Sequence, residues 1–242
     1  MSGWEEWYQR QIQADQFSAE KQQALADSRV LVVGLGGVGS AAALYLALAG
    51  VYHLGLCDQG LVEESNLHRQ ILYTPGDVGL RKVDAAVKVL TRHQPALRPV
   101  IYWMDAEEHL GEFSDTYDLV VDCLDNSPAR LAVARYATRH SLPVISGGAR
   151  DWGGFVAAFQ GPRTACLGCL YSMPDRQTPY PTAGVMGPVA GVIGTWAAGR
   201  VLRVIAEPES LERAEYIRLD LMEGEISRFI LDKRTDCPVC SR

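Results

Sequence analysis

Four of the six cysteines fall in two C-x-x-C pairs, Cys166/Cys169 and Cys237/Cys240. Two such knuckles supply four thiolates, the tetrahedral shell zinc prefers at about 2.3 Å per sulfur. Gly168 and Pro238, inside the pairs, suit the tight turns a knuckle needs. A closed set of four leaves no position for substrate, so such a zinc holds structure and does no chemistry. The other use of a C-x-x-C pair is dithiol redox. Two pairs, the second close to residue 242, fit a clip that fastens the tail better than a redox centre. Cys57 and Cys123 end apolar runs and read as core thiols.

The second chemical signal is G-x-G-x-x-G at Gly34, Gly36 and Gly39, placed between an apolar run and a helical one. A strand, a glycine turn and a helix put backbone N–H groups and a positive helix end where a phosphate can sit. Asp58 ends the following strand and supplies the carboxylate expected for ribose hydroxyls. A P-loop does not fit, because Ser40 follows Gly39 where that motif needs lysine. A dinucleotide's two phosphates can be cradled largely by amides, whereas ATP needs cations. Arg69, in Ser65-Asn-Leu-His-Arg-Gln70, and Lys82 therefore favour ATP. Asp125, with Asn126 beside it, follows a strand at its carboxyl end, where open α/β sheets place ligands, and could hold Mg²⁺ against the α-phosphate. Asp122 reads as a strand-end structural group.

These residues need elements to position them. The pattern predicts a helix at residues 18–26, a strand at 29–33, a helix at 40–49 and a strand at 52–57. Further on it predicts a helix at 80–93, strands at 98–103 and 117–122, a helix at 127–140 and a strand at 143–146. Such alternation implies a mostly parallel sheet with helices on both faces. Past residue 153 the pattern changes to a stretch at 154–160, the first cysteine pair, a proline-rich segment at 173–181, a glycine-rich helix and a hairpin near 214–220 and 225–231. The expected organisation is one domain over 1–242: a helical arm at 1–27, a nucleotide-binding half at 28–150 and a zinc-clip half at 151–242.

Composition narrows the partners. With 242 residues, 48% of them hydrophobic and a net charge of −6, the chain has the profile of a globular protein whose overall field repels nucleic acid and anionic lipid. The N-terminus shows no basic segment followed by an apolar one, so the expected compartment is the cytoplasm. Residues 183–199 carry no charge, but hold Pro188 and run into Arg200 and Arg203. They read as a buried helix in which Gly187 and Gly191 admit another backbone, within the chain or across a subunit interface.

Taken together, Arg10-Gln, the glycine turn, Asp58, Ser65-Asn-Leu-His-Arg-Gln70, Lys82, Asp122-Cys-Leu-Asp-Asn126, both cysteine pairs and Ala183-Gly-Val-Met resemble the ThiF/MoeB/HesA family, bacterial relatives of ubiquitin-activating enzymes. The resemblance implies a homodimeric, Rossmann-like enzyme that adenylates the C-terminal Gly-Gly carboxylate of a small ubiquitin-like sulfur carrier. It also implies that Gly37 approaches the nucleotide, that residues 65–69 line the site, and that Arg69 and Lys82 contact phosphates. Asp125 and Asn126 would lie near Mg²⁺ and the α-phosphate, and Arg10 would reach the neighbouring subunit's site. Tyr180 stands where some members have a cysteine for thioester or acyl-disulfide chemistry, and Gly60 where many have a second acidic residue. The alternatives are adenylation of a peptide or small-molecule carboxylate, a nicotinamide-dependent oxidoreductase, and a carrier-binding scaffold.

Overall fold

The computed structural model describes residues 3–112, 116–171 and 184–241. The proline-rich segment, with Tyr180, and Ala183 lie outside the described residues. One sheet runs through both halves of the chain. Its strands are β1 (Arg29–Val33), β2 (His53–Cys57), β3 (Val100–Tyr102), β4 (Leu119–Asp122), β5 (Val144–Arg150), β6 (Gly153–Phe159), β7 (Ala214–Asp220) and β8 (Glu225–Leu231). They lie in the order β3-β2-β1-β4-β5-β6-β7-β8. The first five in that order pair in parallel and the last four antiparallel, sharing β5, as the expected parallel sheet with an antiparallel extension requires.

Helices cover both faces. They are α1 (Gly3–Ile12), α2 (Ala19–Asp27), α3 (Gly37–Leu48), α4 (Lys82–His93), α5 (Ala106–His109), α6 (Ser127–Arg139), α7 (Leu167–Tyr171) and α8 (Gly187–Ala206). One core joins α2, α3, α4 and α8 to the sheet, and the other joins α5, α6 and α7. Central strands buried on both sides need unbroken apolar runs, which is why Val30, Leu31, Val32 and Val33 are all buried. From β1 the chain builds outward to β2 and β3, then crosses to β4 on the other side. That reversal opens a crevice beyond the carboxyl ends of β1 and β4.

Three expectations are corrected. Helix α3 starts at Gly37, not residue 40, because Gly36 is its N-cap and the glycine turn is its first turn. Strand β5 runs on to Arg150, past the expected end at residue 146, because it pairs antiparallel with β6 along its whole length. The glycine-rich helix is α8, beginning at Gly187 and continuing through Arg200 and Arg203. A charge does not end it there, because Arg200 pairs with Glu215 on β7 at 3.2 Å. Val189, Ile193, Ala197 and Val201 of α8 are fully buried, so it is built into the core.

The close approach on α8 also differs from expectation. A Cβ at Gly187 would lie 2.6 Å from the His68 carbonyl and one at Gly194 2.3 Å from the Val38 carbonyl, while Gly191 faces open space. The contact is therefore within the chain, α8 against α3 and the segment before Arg69. Gly194→Ala is expected to cost about 1–3 kcal/mol by overpacking, with Gly191→Ala near neutral. Thermal unfolding of the two variants checks this, and equal melting temperatures would contradict it.

Candidate functional site

Loops from four elements converge at the crevice. The glycine turn is fixed from beneath: the Tyr73 and Ser40 hydroxyls both donate to the Leu35 carbonyl, at 2.9 and 3.2 Å. Burial pushes the Tyr73 phenol well above its ordinary range, so it stays a neutral donor. Gly39 is required by contact, since a Cβ there would lie 1.8 Å from the Gly34 carbonyl oxygen. Gly34 has a φ of +89° and sits against the Cys123–Leu124 peptide, with a Cβ position 2.8 Å from the Cys123 oxygen. The first glycine thus brings the β4 loop, and with it Asp125, against the turn.

Asp58 is oriented by two backbone donors: Leu35 N–H reaches one carboxylate oxygen at 2.7 Å and Gly60 N–H the other at 2.7 Å. Each oxygen keeps a lone pair for a ribose hydroxyl. A Cβ at Gly60 would lie 3.0 Å from Asp58 Oδ1 and 3.3 Å from Lys82 Nζ, so Gly60 lies between the two side chains. Residue 60 can hold no second acid there without displacing both. The chain between them is closed by a bridge of Leu61 with Arg81 and by Lys82 N–H donating to Gly60 O at 3.0 Å.

Arg69 packs its stem on the turn, its Cγ 3.3 Å from a Cβ position at Gly37. Its Nη1 donates to Ser65 O at 2.9 Å and lies 2.7 Å from His68 Nε2. Among the described residues no carboxylate pairs with Arg69 or Lys82, so both positive charges are available to an anion. Ser65 is exposed, whereas Asn66 is buried and spends its amide on Glu63 N–H and Ser65 Oγ. Asn126 caps α6 by accepting from Ala129 N–H at 2.9 Å, and Asp125 beside it is exposed.

Two features were not singled out from sequence. Gln70, quoted only within its motif, is buried near Gly36 with its Oε1 unpaired. A buried amide oxygen without a donor beside the glycine turn fits a site in which a ligand hydroxyl or amine supplies that donor. The other is Arg130, 4% exposed, which pairs with fully buried Asp122 at 2.6 Å. That pair bears out Asp122 as structural, but no spacing marks Arg130 among the helix's arginines. Arg10 lies in the last turn of α1, and α1 packs on the end of α3 remote from the glycine turn, where Gln11 donates to Ala49 O at 2.9 Å. The structure therefore does not bring Arg10 to its own chain's crevice.

The four cysteines of the pairs meet. Sγ separations are 4.0 Å for Cys166/Cys169, 3.7 Å for Cys166/Cys237 and 3.5 Å for Cys169/Cys240, all four atoms lying within 4.8 Å of one another. A tetrahedral zinc with sulfurs at about 2.3 Å requires edges of about 3.8 Å, so the donor set fits. A hydrogen bond from Cys166, with backbone N–H donors, holds the Cys169 thiol down at about 4, so the cluster already favours a thiolate. Cys57 and Cys123 behave oppositely: burial pushes Cys57 up to about 12 and raises Cys123 further.

A switch-point crevice with a glycine turn at a helix N-terminus, a carboxylate oriented by two backbone donors and two cations with no carboxylate partner among the described residues defines an α/β protein whose crevice suits an anionic nucleotide. Over residues 8–239 the chain matches the ThiF family model, and it belongs to that family. It is 36% identical to the sulfur carrier protein ThiS adenylyltransferase of Escherichia coli K12, over 96% of this chain and 94% of that one. It is likewise 36% identical to the molybdopterin-synthase adenylyltransferase of the same organism, covering 97% and 96%. The fold matches a crystal structure of E. coli MccB with ATP, at a TM-score of 0.79 and 22% identity, covering 92% of this chain and 69% of that one. It also matches PaaA at 0.79 and 23%, covering 95% and 84%. The chain is an ATP-dependent adenylyltransferase of the ubiquitin-activating-like family, and the nicotinamide oxidoreductase and scaffold readings give way to that class.

Proposed function

We propose that the protein adenylates the C-terminal glycine carboxylate of a small ubiquitin-like sulfur-carrier protein, in cytoplasmic sulfur transfer toward molybdopterin, thiamine or a related product. The observation that carries the reading is the convergence of Asp58, Arg69, Lys82 and the Asp125 loop on one glycine turn. The two adenylyltransferase relatives, matched over nearly their whole lengths, support the choice of acceptor.

A carboxylate oxygen of the carrier attacks the α-phosphorus of ATP, the bond from that phosphorus to the bridging oxygen breaks, and pyrophosphate leaves with the electron pair. An acyl-adenylate remains. No side-chain nucleophile is needed, so the protein's task is alignment and neutralisation of charge on the leaving group. Gly36 and Gly37 present the turn to the phosphates, Arg69 and Lys82 balance them, Asp58 orients the ribose, and Ser65 and Asn66 line the same loop. Asp125 and Asn126 would hold Mg²⁺, which supplies charge neutralisation at the phosphates. The high thiol pKa of Cys57 and Cys123 supports a sequence that stops at the adenylate.

The remoteness of Arg10 from its own crevice supports a homodimer in which it serves the neighbouring site. The division of labour follows: 28–150 binds nucleotide, 151–242 carries a structural zinc in the four-cysteine clip and receives the carrier, and the arm at 1–27 bridges protomers. Adenylation of a peptide or small-molecule carboxylate is the second reading, because a site with no nucleophile of its own accepts any carboxylate that reaches the α-phosphorus. The test is exchange of labelled pyrophosphate into ATP. Exchange is expected only when a carrier ending in Gly-Gly is present, and failure with every such carrier, alongside exchange with a peptide, would transfer the assignment to the second reading.

A further inference from the structure

We propose that Arg130 is the positioning residue that holds the Asp125 loop in its reactive place; this rests on the reading of Asp125 given above. Arg130 lies in the first turns of α6, its guanidinium 5.4 Å from the Phe155 ring centre and 5.1 Å from that of Tyr171. Nη1 donates to Asp122 Oδ2 at 2.6 Å and to Ser146 Oγ at 2.7 Å. Nη2 donates to the Leu124 carbonyl and to the Gly147 carbonyl, the latter at 3.0 Å. Both terminal nitrogens are committed to protein acceptors, so Arg130 does not itself touch phosphate.

What it holds is the peptide next to Asp125. Leu124 donates its N–H to Asp122 Oδ1 at 3.2 Å, and its carbonyl accepts from Arg130. On the other side of Asp125, Asn126 is fixed as the α6 cap. Asp125 is thus clamped at both neighbours, while its own carboxylate makes one long contact, 3.5 Å from Asn126 Nδ2. Backbone fixed and carboxylate free is the arrangement a group needs if it must meet a ligand with little reorganisation.

The surroundings are shaped for a planar fork. At Gly148 a Cβ would lie 2.5 Å from Phe155 Cε1 and 3.1 Å from Arg130 Nη2, so the bare strand admits the stacked guanidinium. A lysine keeps the charge opposite Asp122, but a single ammonium cannot serve the carboxylate and both carbonyls in that geometry. Of the four donations, one ends on Asp122 at the end of β4, one on the Leu124 carbonyl just after it and two on β5, so the guanidinium ties the loop after β4 to the neighbouring strand.

The test compares Arg130→Lys with Leu211→Ala, a cavity-forming change at a buried residue of the core that does not hold Arg130's partners. Arg130→Lys is expected to lower kcat for pyrophosphate exchange about 10- to 100-fold with KM for ATP within about threefold, as expected of misplacement of a reacting group. Hydrogen exchange of residues 123–126 should quicken in the same variant. Leu211→Ala should lower the melting temperature and leave both readouts unchanged. If Arg130→Lys does not fold, Phe155→Leu, which keeps every hydrogen-bonding partner and removes one stacking ring, should give smaller shifts in the same direction. Wild-type kcat and loop exchange in whichever variant folds would overturn the positioning role. Asp125→Ala at full activity would overturn the underlying reading and this proposal with it, whereas an inactive Asp125→Ala beside an unaffected Arg130 variant sinks the positioning role alone.

Discussion

Replacing Asp125 with alanine is expected to lower carrier-dependent adenylation about 100- to 1,000-fold, the cost of removing one preorganised electrostatic group from a reacting centre. The effect falls on the chemical step. Asp125 is exposed, and among the described residues its carboxylate makes one long hydrogen bond, from Asn126, so its loss strips little from the folded molecule. An exposed substitution of this kind moves stability by about 0.5 kcal/mol at most. The expected variant therefore melts like the parent, keeps its circular dichroism and binds the carrier normally, yet scarcely exchanges pyrophosphate. The rate and the melting curve are measured on one preparation. Retention of more than a tenth of the parent rate would remove Asp125 from the proposed mechanism.

Loss of the four-cysteine cluster should have the largest effect on stability. Cys237 and Cys240 are fully buried, and the other anchors of the segment after β8 among the described residues are light: Lys233 Nζ donates to Pro162 O at 3.3 Å, Arg234 pairs with nearby Asp236, and Val239 packs against Gly168. A zinc held by the four thiolates would therefore fix the tail against α7, whose last residue, Tyr171, stacks on Arg130. Cys240→Ser is expected to destabilise by about 4 kcal/mol or more, in the class of lost metal sites. For a domain of this size that lowers Tm by roughly 8–16 °C. Elemental analysis of the purified protein should find one zinc per chain, and proteolysis after chelation should cut first beyond β8. A metal-free protein whose melting point ignores chelators would end the zinc assignment.

Much of this was legible in one dimension because it depends on local geometry. The glycine turn, Asp58 at a strand end and the C-x-x-C knuckles are each confined to a few neighbouring residues, so their spacing is their geometry. The bounds of β1 and the β7–β8 hairpin agree with the pattern for the same reason, since strand alternation and turn residues are adjacent. The start of α3 was misplaced because glycines lower helix propensity, and here a phosphate-binding turn is itself the first turn. Gly191 and Gly194 are indistinguishable by composition, and only the rotation of α8 about its axis decides which one meets Val38.

The sequence by itself determined the first strand with its glycine turn, the β7–β8 hairpin and the two cysteine pairs, since each rests on neighbouring residues. Only the tertiary structure decided that the two halves meet, that Arg69 packs on the glycine turn while Lys82 comes near the Asp58 loop, neither with an acidic partner among the described residues, and that Arg130 grips the Leu124 carbonyl. These are contacts between segments far apart along the chain. Their existence depends on how the sheet closes those loops over one crevice, which no local pattern encodes.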